Sequence, residues 1–459
     1  MTSRKRIKLV LALTLSFFVA APAQPLKVSP DGRSFVENGK PFFWLGDTAW
    51  LLFVKCSREG ALKYLDTRKA QGFNVVQVMV LHDTKNAKNF YGSRALLDND
   101  ASKPKVTPGN DPVRSDQYDY WDHAEWIVDE AAKRGVYMAL VPVWGSNVKN
   151  GSVDEQQARA YAEFLAKRFR DKRNIIWLNG GDLRGDVNRE VWLALGSTLR
   201  EYDKRHLITF HPRGRTGSSE WFHNESWLDF NMFQSGHRNY EQDSSPDEKH
   251  HFGEDNWRYA EIDRQLTPAK PTLDGEPSYE NIPQGLHDPS MPRWTAADIR
   301  RYAYWSVFAG GAGFTYGENS VMQFYDRGAP DPAYGAVDDW RETIASPGAF
   351  QVHHLRDLLL SKPYFERVPA QEMVIDQGTR YERIAATKGK RYAFFYTFTG
   401  REFEVRLGVI SGRTVKAAWF DPRTGKRTAA GSFRNAGKRV FDPPGDVANG
   451  NDWVLVLES

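Results

Sequence analysis

Between residues 42 and 361 the chain alternates eight short apolar runs with segments of helical spacing, and few folds accommodate that pattern. The runs are 42–47, 74–81, 136–143, 174–182, 206–211, 228–233, 271–276 and 311–316. Most are apolar at consecutive positions instead of every second one, as strands buried on both faces are. Nearly all lead into a helical pattern, at 58–71, 121–134, 154–170, 189–204, 255–264, 296–308 and 351–361. This repetition predicts an α/β protein, a (β/α)8 TIM barrel with enlarged loops. A doubly wound open sheet is the alternative, but no Gly-x-Gly-x-x-Gly follows the first run.

Past Tyr364 the helical signal stops. Residues 391–396, 402–407, 415–420 and 453–457 read as short strands, and Asp421-Pro-Arg-Thr-Gly425 is a turn between two of them. The expected organisation is a barrel domain over 24–362 that opens with a hairpin at 26–40, followed by a small all-β sandwich over 363–459. Before it, Arg4, Lys5, Arg6 and Lys8, an apolar stretch from Leu9 to Ala20 and Ala21-Pro-Ala23 read as a signal peptide over 1–23, too short to span a bilayer comfortably. An exported protein, periplasmic or secreted from a bacterium, is therefore expected. Losing that segment brings the formal charge of +4 to about zero, so the charge does not point to nucleic acid. Cys56 is the single cysteine, so no intramolecular disulfide can form.

Residues at the C-terminal ends of barrel strands converge on one face, where such barrels place their chemistry. Asp182 and Glu276 each close an apolar run there, at Asn179-Gly-Gly-Asp182 and Asp274-Gly-Glu-Pro277. Two carboxyl groups across a barrel mouth, one able to protonate and one able to attack, suffice to hydrolyse a glycosidic bond. The structural alternatives are a helix cap for Asp182 and a loop carboxylate for Glu276, with Glu280 the nearest rival. Further polar and aromatic residues at strand ends are candidates for a sugar pocket: Asp47, Trp50, His82, Asp83, Trp144, Asn179, His211, Gln234, His237, Tyr316 and Glu318. His-Glu-x-x-His, Gly-x-Ser-x-Gly and a phosphate-binding loop are absent, and His250, His251, Glu254 and Asp255 read as a polar loop before a metal site.

Four strings carry a resemblance: Phe42-Phe-Trp-Leu-Gly-Asp-Thr-Ala-Trp50, Gly72-Phe-Asn-Val-Val-Gln77, Asn179-Gly-Gly-Asp182 and Asp274-Gly-Glu-Pro-Ser-Tyr279. Together they resemble the apiosidase-like glycoside hydrolases, family 140, over the whole mature chain. The resemblance implies a retaining (β/α)8 glycosidase with a collagen-binding-type β-domain, Asp182 as acid/base and Glu276 as nucleophile. It also implies a substrate among the apiose-containing side chains of pectic rhamnogalacturonan. Where related glycosidases place an Asn-Glu pair on the fourth strand, this chain has Asp182. Neither metal nor organic cofactor is needed for that chemistry, and the expected partner is an oligo- or polysaccharide. The same mechanism on an arabinofuranoside or galactoside, and a non-catalytic polysaccharide- or collagen-binding protein, are the alternatives.

Overall fold

The computed structural model describes residues 25–246 and 248–459, so the segment read as a signal peptide lies outside the described residues. Eight parallel strands form the barrel: β1 (Trp44–Thr48), β2 (Val75–Leu81), β3 (Tyr137–Val143), β4 (Ile175–Gly180), β5 (Ile208–His211), β6 (Asn231–Gln234), β7 (Thr272–Asp274) and β8 (Gly313–Tyr316). The hydrogen-bonded order runs from β5 back through β1 to β8 and on to β6. Between β5 and β6, Asp229 N–H donates to the Ile208 carbonyl at 2.8 Å and Thr209 Oγ1 to the Phe230 carbonyl at 2.6 Å, closing the ring.

Period-two side-chain alternation sorts the strand residues into two shells. Val75, Ala139, Val141, Ile176, Leu178, Met232 and Leu273 belong to the core that includes the barrel interior. Their sequence neighbours Val76, Val78, Met138, Leu140, Ile175 and Trp177 belong to the core shared with the helices. Both shells are apolar, which explains why the runs show no alternation in the sequence.

The helices are α1 (Arg58–Ala70), α2 (Tyr120–Lys133), α3 (Glu155–Phe169), α4 (Arg189–Tyr202), α5 (Trp257–Arg264), α6 (Ala296–Phe308) and α7 (His353–Leu360). Asp119, Asp154 and Thr295 start α2, α3 and α6 with reciprocal capping boxes. Only a single turn, Ser219–Phe222, follows β5; the chain instead lays Thr216–Gly217 antiparallel along β6. The expected N-terminal hairpin is a three-stranded meander, Lys27–Val28, Phe35–Glu37 and Lys40–Phe42. Its Phe35 packs on Trp44 and Phe230, residues at the N-terminal ends of β1 and β6, and so covers the end of the barrel away from the site.

The C-terminal part is all-β: β9 (Val368–Pro369), β10 (Ile384–Lys388), β11 (Tyr392–Thr397), β12 (Phe403–Arg406), β13 (Thr414–Phe420), β14 (Arg427–Arg434), β15 (Lys438–Phe441) and β16 (Trp453–Glu458). Six strands form an antiparallel sheet, ordered β9-β10-β11-β16-β13-β14, and β12 with β15 forms a ribbon. Alternation along β11 decides the layering. Ala393 and Phe395 face the core shared with the ribbon, whereas Phe394 and Tyr396 face the barrel. Tyr396 stacks on Tyr304 of α6 at 4.5 Å, and Arg300 of α6 makes a buried two-pronged ion pair with Asp452 at 2.6 and 2.8 Å.

Candidate active site

A cleft of about 580 Å3 opens at the C-terminal ends of the strands, and both predicted carboxylates line it. Asp182 reaches it through a turn that rests on two glycines. Gly180 (φ +92°) and Gly181 (φ +136°) occupy conformations disfavoured for side-chain-bearing residues. A Cβ on Gly180 would stand 2.5 Å from the His211 carbonyl oxygen, and one on Gly181 would meet the Trp144 ring at 2.8 Å. Asp182 itself is left-handed at φ +53°, a conformation Asp tolerates better than most residues. The glycines thus let the turn pack against the next strand and project Asp182 into the opening.

Glu276 follows Gly275, where a Cβ would collide with Met232 Sδ at 2.4 Å, and Gln77 Nε2 donates to the Gly275 carbonyl at 2.6 Å. Two imidazoles grip its carboxylate from behind. His237 Nε2 donates to Oε1 at 3.0 Å, and His211 Nε2 lies 3.2 Å from Oε2, at ion-pair distance but out of line for a hydrogen bond.

The two acids are driven in opposite directions. Asp182 is open to solvent within the cleft yet ringed by protein, and burial followed by the charge of Glu276 pushes its carboxyl up to about 6. Burial also opposes ionisation of Glu276, but His211 and His237 outweigh it and hold the carboxyl down at about 2. Between those values one group is protonated and the other ionised, the division of labour that acetal chemistry requires.

Residues 29–366 match the family model described as "Apiosidase-like, catalytic domain". The chain belongs to the Apiosidase-like family. Residues 368–458 of this Apiosidase-like protein match a second model, "Putative collagen-binding domain of a collagenase". A solved structure described as a glycoside hydrolase is 44% identical, covers 95% of this chain and 97% of its own, and superposes with a TM-score of 0.90. A family 5 glycoside hydrolase from Bacteroides vulgatus ATCC 8482 is 42% identical over 95% of this chain and 94% of its own, with a TM-score of 0.89. No curated protein matches. Like these relatives, the Apiosidase-like chain is a glycoside hydrolase.

Its remaining strand-end residues divide by what their polar atoms already hold. Trp50, His82, Trp144, Gln234 and His237 line the cleft, with the Trp50 and Trp144 rings 5.2 Å apart. Asn179, Asp47 and Tyr316 do not, and the reading of them as sugar ligands is corrected. Asn179 is fully buried, donating to the Trp192 carbonyl at 2.8 Å and accepting from Gly180 N–H at 3.0 Å. Asp47 accepts from Tyr64 Oη at 2.5 Å and Arg68 Nε at 2.7 Å in the wall between β1 and α1. Tyr316 donates to Glu280 at 2.7 Å, and Glu280 also accepts from Gly348 N–H, which removes Glu280 as a rival to Glu276. His211 is fully buried behind the cleft, against Glu276 and the Trp50 and Trp144 rings. Glu318 caps a short helix through Val321 N–H at 2.9 Å.

Sequence reasoning missed Tyr279 as a site residue and all three arginines of the cleft, Arg213, Arg215 and Arg238. Tyr279 packs edge-on against His237 at 4.7 Å; its Oη, like Gln234 Oε1, is buried without a hydrogen-bond partner. A ligand rich in hydroxyls would satisfy both. Tyr279 was visible in the Asp274–Tyr279 string, whereas the arginines come from irregular loops that carry no periodic signal. Asp243, Glu248 and His251 lie close enough to hold a metal, but Arg215 already bonds Glu248 and lies 3.4 Å from Asp243, so a guanidinium supplies the cation there.

Proposed function

We propose that this glycoside hydrolase cleaves apiosyl linkages in the side chains of pectic rhamnogalacturonan, with retention, by a two-carboxylate mechanism. The observation that carries the mechanism is the placement of Asp182 and Glu276 on one cleft with two imidazoles set against the Glu276 carboxylate, which drives the two acids in opposite directions. Glu276, ionised, attacks the anomeric carbon as Asp182 gives its proton to the departing oxygen, which leaves with the bonding pair. The glycosyl-enzyme is then opened by a water whose proton passes to Asp182, restoring both groups. His237 and His211 hold the attacking carboxylate in place and ionised. The apiosyl specificity is supported by the family match and the four strings that carry it. Export by the segment 1–23 would bring the enzyme to plant polysaccharide outside the cytoplasm.

The test is incubation of the purified protein with apiose-containing pectic oligosaccharides beside the Glu276→Gln variant, with products read by mass spectrometry and the anomer formed first by NMR. Apiose-terminated fragments from the wild type only, released with unchanged anomeric configuration, are expected. Hydrolysis confined to arabinofuranosides or galactosides would overturn the apiosyl reading, and an inverted first product would overturn the covalent step.

A further inference from the structure

A second cavity, about 560 Å3, lies at the seam between the barrel and the β-domain, in the size range of small-molecule sites. The β6–α5 loop supplies Tyr240 and Phe252 to it, the first turn of α5 supplies Trp257 and Arg258, and the turn before β10 supplies Arg380 and Arg383.

Its guanidiniums lie against aromatic faces. Arg383 Cζ is 3.4 Å from the centroid of the Trp257 ring, Arg258 lies over Trp257 at 4.8 Å, and Arg380 lies over Tyr240 at 4.7 Å. A stacked guanidinium keeps its N–H groups in plane, pointing away from the ring, where a carboxylate can take them two at a time. Arg258 has Asp255 at 3.1 Å and Arg380 has Glu241 at 3.3 Å. Arg383 is different. Its side chain is 8% exposed, its nearest carboxylate is Glu261 at 3.8 Å, and its Nε has no hydrogen-bond partner. Trp257 Nε1 is likewise buried and unpartnered. A buried cation lacking a close counter-ion is costly unless something arrives to pair with it. Arg380 also sits at φ +49°, a conformation uncommon for a residue with a side chain, and strain of this kind collects at ligand sites.

We propose that this seam is an accessory site for a carboxylate-bearing sugar unit of an acidic polysaccharide, separate from the catalytic cleft. It would anchor the polymer across both domains and give the β-domain a part in substrate capture. The inference rests on the glycoside hydrolase activity and not on the apiosyl reading.

The test uses the full chain carrying Glu276→Gln, so that bound polymer is not cut, in affinity electrophoresis through polygalacturonate or neutral galactan. Arg258→Ala with Arg380→Ala is then added; the first side chain is about half exposed and the second mostly so, and circular dichroism checks the fold. The double change is expected to weaken polygalacturonate binding by about tenfold or more, the scale of one charge-assisted hydrogen bond, and to leave galactan unchanged. Free galacturonate should compete, which shows that the carboxylate-bearing unit itself is recognised. Unchanged affinity, an equal loss on galactan, or no binding of polygalacturonate at all would overturn the proposal. With Glu276 restored, the arginine variant should turn over a small aryl glycoside as the wild type does; a loss there would place these arginines in the catalytic cleft and refute a separate site.

Discussion

Removing His237 should move the acid limb of the pH–rate profile upward, by an amount the geometry sets. His237 Nε2 donates to Glu276 Oε1 at 3.0 Å, one of the two imidazole contacts that hold the carboxyl near 2. A hydrogen bond to a charged group contributes about 1.5–3 kcal/mol, and 1.36 kcal/mol corresponds to one pKa unit. His237→Ala should therefore raise the Glu276 pKa from about 2 to roughly 3–4. The donor stabilises the ionised form, so its loss makes protonation easier. Activity needs the ionised form and falls as pH drops through that pKa, hence the upward movement of the acid limb. The alkaline limb belongs to Asp182 near 6, where rising pH removes the catalytic proton. The His237 imidazole is one of the groups that lower the Asp182 carboxyl, so the alkaline limb should not fall in the variant. The assay is kcat/KM against pH on an aryl glycoside that the wild type hydrolyses, with His237→Gln as a control that keeps an N–H donor. An acid limb that stays put or moves down in His237→Ala, or that moves equally in the Gln control, would refute the clamp.

Asp182→Asn should cost about 10²–10⁴-fold in kcat on sugar leaving groups and far less on aryl glycosides with acidic phenols, which depart without protonation; an equal loss across leaving groups would remove Asp182 as the acid. Arg300→Ala leaves the buried Asp452 carboxylate without its main partner and should destabilise the fold by about 3–5 kcal/mol in chemical unfolding, whereas Arg300→Met with Asp452→Leu should recover most of that. A single variant within about 1 kcal/mol of wild type would show that this pair does not hold the domains together.

The β-domain shows where pattern reading stops. Strands β11, β13 and β16 alternate or run apolar and were legible, but β14 (Arg427–Arg434) was not. That strand is an edge with most of its residues exposed, so nothing in its side chains had to be apolar; it exists because β13 offers it hydrogen bonds. The ribbon strand β15 escaped notice for the same reason, with Lys438, Arg439 and Val440 all exposed.

Asn179 and Gln234 illustrate the same boundary at the site. Both are polar residues at the end of a barrel strand, and sequence position cannot separate them. Contacts do: Asn179 gives its amide to the backbone of Trp192 and Gly180, while Gln234 keeps an unpartnered oxygen and lines the cleft. The chain by itself determined the eight strands and the helices that follow seven of them, because burial on both faces demands uninterrupted apolar runs. It also fixed the two glycine-bearing turns that carry Asp182 and Glu276, because local backbone conformation is written in local residues. Only the tertiary structure decided which carboxyl keeps its proton, since that depends on imidazoles arriving from β5 and from the loop after β6. The seam cavity likewise exists only where two separately encoded domains meet.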